Sequence, residues 1–180
     1  KPTYEAIGER LLASPLIHAD ETTWPYLGKR GEAHPGKYWA WSACTGEAVF
    51  YRILPSRSAG AAREVLKDYR GIVMADGYSA YESLAKESGG FTLVHCWAHV
   101  RRKFVEAEAF FPGESRRMLG LIGELYAIER EVPRAGPGAG EEVRHEEAAL
   151  RLTLRQERSK DVIRRIQALL MELKGTILPQ

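Results

Sequence analysis

The sequence predicts an α/β fold: a mixed β-sheet flanked by helices, with a helical segment at its C-terminal end. Three observations carry this expectation. Two short apolar runs each end on an aspartate, Leu16-Ile17-His18-Ala19-Asp20-Glu21-Thr22 and Gly71-Ile72-Val73-Met74-Ala75-Asp76-Gly77-Tyr78. Runs of this length and β-branched content, closed by polar residues or glycine, read as buried strands. Between them, Lys37–Cys44 and Glu47–Ile53 are aromatic and β-branched segments joined by Thr45-Gly46, which predicts a tight antiparallel hairpin. From Ser58 onward, helical and strand patterns alternate.

Taken in order, Tyr4, Ile7 and Leu11 recur at helical spacing until Ser14-Pro15 ends the pattern. With Lys1 in place of an initiator methionine, residues 1–14 read as the end of an upstream helix or linker in a longer protein. The first strand and the hairpin follow. Ser58 offers an N-cap to a helix carrying Ala62, Val65, Leu66 and Tyr69. After the Asp76 strand come a short helix (Tyr81, Leu84, Ala85) and a fifth strand, Phe91–Cys96. A helix with Trp97, Val100, Phe104, Ala107 and Phe111 on one face closes the series. Three strands in meander, then helix and strand in alternation, suggest a mixed sheet covered by helices. A ribonuclease H-like core, here residues 15–112, has this order. Its first and fourth strands are neighbours, which would place Asp20 beside Asp76.

Residues 113–180 read as helical. Met118, Ile122, Leu125 and Tyr126 mark one helix, and Val162, Ile166, Leu169 and Leu173 form the apolar stripe of a later one. Residues 132–140 (VPRAGPGAG) are too rich in Gly and Pro for either regular element and read as a flexible loop. Two amphipathic helices so joined pack as an antiparallel hairpin. Arg151, Arg155, Arg158 and Arg165 share a helix face. Solvated ion pairing, such as Glu147 with Arg151, is the expectation there. For Arg101, Arg102 and Lys103, just after the fifth strand, it is contact with DNA phosphates.

The chemistry rests on the two aspartates. A carboxylate leaving the end of a buried strand is held by a rigid element. Two of them side by side make an oxygen-rich site suited to Mg²⁺ or Mn²⁺, the arrangement used in two-metal phosphoryl transfer. The competing explanation is two ordinary strand-end aspartates capping turns. Cys96-x-x-His99 has the spacing of half a zinc site, but no second Cys or His pair completes it, so structural zinc is the minor alternative. His99 then opens a helix near the carboxylates as a neighbour of the active site. His18 shares the strand face of Asp20 by alternation and reads as structural. Glu21 points the other way.

At 180 residues and 44% hydrophobic content the chain can bury a real core, and its formal net charge of +2 is too small to argue nucleic-acid binding by itself. It has neither an apolar run of membrane-spanning length nor a signal-peptide pattern. Cys44 and Cys96 read as buried free thiols, which predicts a cytoplasmic protein.

Several stretches together resemble the catalytic domain of the IS66 class of bacterial insertion-sequence transposases. They are His18–Thr23 (HADETT), Pro55–Ser58 (PSRS), Ala75–Tyr78 with Tyr81, Cys96–Phe104 (CWAHVRRKF), Leu154–Ser159 and Ile177–Pro179. The similarity runs from about Pro15 to the end. It implies an Asp-Asp-Glu enzyme that cleaves and joins DNA, with Asp20 and Asp76 as its first two metal-binding, catalytic carboxylates and Mg²⁺ or Mn²⁺ as cofactor. DNA would be the partner, with a homo-oligomer and accessory transposition proteins in the active complex. In this class the third carboxylate follows a helical insertion in an Asn-Asn-x-x-Glu-Arg type of motif, which does not occur before Gln180. The nearest glutamates after the fifth strand are Glu106 and Glu108. A structure-selective nuclease or resolvase of the same fold, and a non-catalytic DNA-binding or assembly module, are the alternatives.

Overall fold

The computed structural model describes residues 2–25, 37–88, 90–136 and 138–177. The chain divides into two compact units, Lys1–His99 and Val100–Gln180. The first contains α1 (Pro2–Leu12), β1 (Leu16–Trp24), β2 (Tyr38–Cys44), β3 (Val49–Leu54), α2 (Ala59–Leu66), β4 (Ile72–Ala75), α3 (Ser79–Ser88) and β5 (Thr92–His95). The five strands form one sheet in the order β3-β2-β1-β4-β5. β2 pairs antiparallel with β1 and β3, whereas β1, β4 and β5 run parallel. The expected mixed sheet is therefore present.

Alternation along β1 sets the layers. Ile17, Ala19 and Glu21 are buried while His18, Asp20 and Thr22 are exposed, as a pleated strand requires. The buried side joins Trp41 and Ala43 of β2, Leu54 of β3 and Val73 and Ala75 of β4 in one core with Ala62, Val65 and Leu66 of α2 and Tyr81 and Leu84 of α3. Helix α1 adds Leu11 to that core and packs on β3, its Tyr4 ring 4.6 Å from that of Phe50. Ser58 caps α2, its Oγ accepting the Ala61 N–H at 3.4 Å. Gly71 opens β4 where no side chain fits. A Cβ there would lie 2.7 Å from the Pro15 carbonyl and closer still to the Tyr69 ring.

Two local expectations need correction. The β2–β3 hairpin is not closed by Thr45-Gly46 alone, because pairing ends at Cys44↔Val49 and residues 45–48 form the connection. The Thr45 hydroxyl explains the longer turn: its Oγ1 accepts from both the Glu47 and Ala48 amides, while the Thr45 N–H donates to the Ala48 carbonyl. β5 is also shorter than expected. Cys96 lies beyond it, and both cysteines are free but only partly buried.

Helix α4 (Trp97–Ala107) leads out of the first unit. The second unit holds α5 (Pro112–Arg130), α6 (Glu141–Leu154), a π-helical turn over Arg155–Ser159, and α7 (Lys160–Ile177). Met118, Ile122, Leu125 and Ile128 of α5 are buried, as is the predicted stripe Val162, Ile166, Leu169 and Leu173 of α7. Arg117–Glu172 and Glu124–Arg165 pair across α5 and α7, and Glu131, just after α5, continues the series with Arg158 in the π-helical turn before α7. The partners advance by seven on one helix and retreat by seven on the other, the register of an antiparallel pair with a heptad repeat. Arg151 binds both Glu129 and Glu147, and Arg155 binds Glu129, so all four late arginines are ion-paired. The loop is anchored at its start, where Val132 is buried and the Ala135 N–H donates to Glu147 at 2.8 Å; Pro137 lies outside the described residues.

Candidate active site

The sequence places both aspartates at strand ends, but β1 continues to Trp24, so Asp20 lies within its strand, while Asp76 follows β4, the parallel neighbour of β1. β1 and β4 pair as Leu16↔Ile72, Ile17↔Val73 and His18↔Met74, and two further residues along each chain reach the aspartates. β4 ends at Ala75, so Asp76 has just left the ladder, and Gly77 turns the chain with φ of 88°. A positive φ favours glycine. Each carboxylate is held by a nearby backbone amide: Asp20 Oδ1 accepts from the Glu21 N–H at 2.9 Å, and Asp76 Oδ1 accepts from the Tyr78 N–H at 2.9 Å. Asp20 is exposed and Asp76 partly so, and His18 is exposed on the Asp20 side of β1.

Beneath Asp20 lies a polar group that sequence patterns do not single out. The Glu21 side chain has no exposed surface. Its Oε1 accepts from Arg57 Nε at 2.9 Å and Nη2 at 2.6 Å, and its Oε2 accepts from the Tyr81 hydroxyl at 2.7 Å. Arg57 in turn lies over the Tyr78 ring, 3.8 Å from its centroid, and 4.8 Å from that of Trp39. Burial pushes the Glu21 carboxyl above the usual carboxylate range, offset in part by the Tyr81 and Arg57 hydrogen bonds, while Asp76 adds to the rise. Burial likewise drives the Tyr81 phenol far above its ordinary value, and the charges of Glu21, Asp20 and Asp76 push it the same way. Both aspartates thus act electrostatically on one neutral phenol. Trp41, paired with Glu21 across β1–β2, packs edge-on to Tyr81 at 5.9 Å and donates its indole N–H to the Ser56 carbonyl. Strand alternation alone puts Glu21 on the apolar side with Ile17 and Ala19. A glutamate so placed needs a partner, and that need is the one signal of the group in the sequence.

The other predicted residues lie on α4. His99 is partly buried, and its Nδ1 is buried without a hydrogen-bond partner. Arg101, Arg102 and Lys103 are exposed, with Lys103 paired to Glu106 at 2.9 Å. Glu108 pairs with Arg116 at 3.1 Å. Among the described residues, no three His, Cys, Asp or Glu side chains gather closely enough to hold a metal ion, and this covers Cys96 and His99 as well as the aspartates. No helix among them is long and apolar enough to cross a membrane.

No solved structure matches the chain significantly. Two proteins of Sinorhizobium fredii (strain NBRC 101917 / NGR234) do resemble it. One, named as the uncharacterized protein y4jD, is 32% identical over 194 aligned residues that take in all of this chain and 36% of that protein. The other, named as the uncharacterized protein y4qI, is 33% identical over 173 residues, 86% of this chain and 30% of that protein. The chain therefore spans about a third of the length of these relatives. The family described as "Transposase IS66 family" matches residues 1–180, and the chain belongs to it.

Proposed function

We propose that residues 15–112 form a ribonuclease H-like catalytic core, that 113–180 are its helical insertion, and that the full-length protein cleaves and joins DNA by metal-dependent strand transfer. The observation that carries this reading is the parallel β1–β4 pairing, whose last pair, His18↔Met74, lies two residues before Asp20 on one chain segment and Asp76 on the other. The strand order β3-β2-β1-β4-β5 supports the fold, and family membership supports a role in DNA transposition.

The donor set suits a hard divalent cation. Each aspartate has two oxygens, and one backbone N–H occupies only part of the acceptor capacity of one of them. Carboxylate oxygen is the ligand type that Mg²⁺ and Mn²⁺ prefer. Asp20 and Asp76 would hold the metal, whose chemistry is to activate water and to neutralise charge on the transferring phosphoryl group. The protein's own contribution is orientation: β1 fixes Asp20, the Gly77 turn fixes Asp76, and the two amides fix the carboxylate planes. Arg101, Arg102 and Lys103 on α4 supply phosphate contacts, with His99 at the start of the same helix. The active species is a cytoplasmic homo-oligomer on transposon-end and target DNA, served by accessory transposition proteins.

The test is strand joining by the full-length protein on transposon-end DNA with Mn²⁺. Loss of cleavage and joining in both Asp20→Asn and Asp76→Asn supports the assignment. Cleavage without joining in the unaltered protein points instead to a nuclease or resolvase, and DNA binding without either reaction to an assembly module.

A further inference from the structure

Two aspartates and two backbone amides make the candidate site, and both amides trace back to one side chain. The amide holding Asp20 belongs to Glu21, whose carboxylate receives two hydrogen bonds from Arg57. The amide holding Asp76 belongs to Tyr78, whose ring lies under the same guanidinium at 3.8 Å. Arg57 comes from neither strand: it sits between β3 and α2, where Ser56 Oγ accepts from the Ser58 N–H and the Ser56 carbonyl accepts from Trp41. We propose that Arg57 is a positioning residue of the catalytic pair, gripping through Glu21 and Tyr78 the two residues whose backbone amides orient Asp20 and Asp76. The proposal rests on the two-aspartate reading above. Arg57 also neutralises the buried Glu21, so the two aspartates face a cation without a third uncompensated charge behind them.

A planar fork is needed for this task. Nε and Nη2 together address one carboxylate oxygen while the flat face stacks on Tyr78, and lysine keeps the charge but does neither. The orientation of metal-bound carboxylates is commonly set by such outer partners, whose loss typically costs 10–100-fold in metal affinity or activity.

The experiment uses the full-length protein, with Mn²⁺ binding followed by the paramagnetic resonance of free Mn²⁺, cleavage of transposon-end DNA across a Mn²⁺ titration, and thermal melting. Arg57→Lys, Arg57→Gln and Tyr78→Leu are compared with Asp20→Asn and Asp76→Asn. Folded Arg57→Lys and Tyr78→Leu should need about tenfold more Mn²⁺ for both binding and half-maximal cleavage, with excess Mn²⁺ restoring part of the rate. Excess Mn²⁺ should restore nothing in the aspartate variants. Should the Arg57 variants fail to fold, Tyr78→Leu decides, because it leaves the Glu21–Arg57 pair in place. Wild-type Mn²⁺ dependence in a folded Tyr78→Leu or Arg57→Lys overturns the positioning role while inactive aspartate variants leave the site intact. Active aspartate variants overturn the site itself.

Discussion

The guanidinium of Arg57 lies 3.8 Å from the ring centroid of Tyr78 while donating two hydrogen bonds to one oxygen of Glu21. A cation over an aromatic face contributes about 0.5–1 kcal/mol when exposed and about 2 kcal/mol when desolvated. Arg57 keeps 34% of its side-chain surface exposed, so the smaller figure applies. The Glu21 carboxylate has no such access to water, and its stability depends on its partners. Breaking a buried ion pair from one side is costly because the surviving charge stays buried.

Tyr81→Phe should therefore destabilise the protein by about 1.5–3 kcal/mol, the range for a hydrogen bond to a charged group. The substitution removes only the hydroxyl that donates to Glu21 Oε2 and preserves the ring packed against Trp41. Urea unfolding of the two proteins side by side measures the difference. Equal midpoints would show that Arg57 alone satisfies Glu21.

Gly71→Ala should be destabilising for a purely steric reason. A Cβ there would lie 2.7 Å from the Pro15 carbonyl, which accepts the Ile72 N–H at the start of β4, and would overlap the Tyr69 ring. Backbone cannot swing aside as a flexible side chain does, so a cost of about 1–3 kcal/mol is expected, as for overpacking elsewhere. Gly120, which has open space around it, serves as the control in the same denaturation series.

Local signals made much of this legible in the sequence. β1 and β4 were readable because each packs its apolar residues into a short run, although β1 continues past Asp20 to Trp24; the neighbouring of the first and fourth strands was expected by likeness to a ribonuclease H-like core and not from any local pattern. The α7 stripe was readable because helical periodicity needs no partner to be seen. The Glu21–Arg57–Tyr81 group was not, since its members are 36 and 60 positions from Glu21 and no local pattern links them. The length of the Thr45–Ala48 turn escaped for the opposite reason. It depends on one hydroxyl accepting from two amides, and a Thr-Gly pair reads equally well as a shorter turn.

Acid should loosen the helical unit by titrating its ion pairs. The Arg155 and Arg151 hydrogen bonds hold Glu129 below its ordinary 4.5, the Ala135 amide and Arg151 hold Glu147 below it, and Arg158 and Arg117 do the same for Glu131 and Glu172. A carboxylate whose pKa is depressed on folding contributes stability that is complete above the unfolded value and is lost as pH falls through the folded one. The loss should begin near pH 4.5 and deepen below it. Glu21 has the opposite sign: its raised pKa means that its contribution declines as pH rises above 4.5. Amide exchange across α5 and α7 between pH 5 and pH 3 tests the first part. Protection unchanged over that interval would show that the apolar stripe holds the helices without the pairs.

The third carboxylate of the proposed reaction should not come from Glu106 or Glu108. Glu106 is ion-paired with Lys103 three residues before it, and Glu108 with Arg116, both in exposed surroundings. Glu21, the acid that follows Asp20 in the chain, is buried and committed to Arg57 and Tyr81. Surface pairs of this kind contribute about 0–1 kcal/mol, so Glu106→Gln and Glu108→Gln should each keep DNA joining by the full-length protein within about fivefold of normal. Asp20→Asn and Asp76→Asn should each lose at least ~100-fold, the scale on which misplacing a reacting group is felt. A glutamate variant as inactive as the aspartate variants, with unchanged thermal melting, would move the third ligand onto α4 or just beyond it.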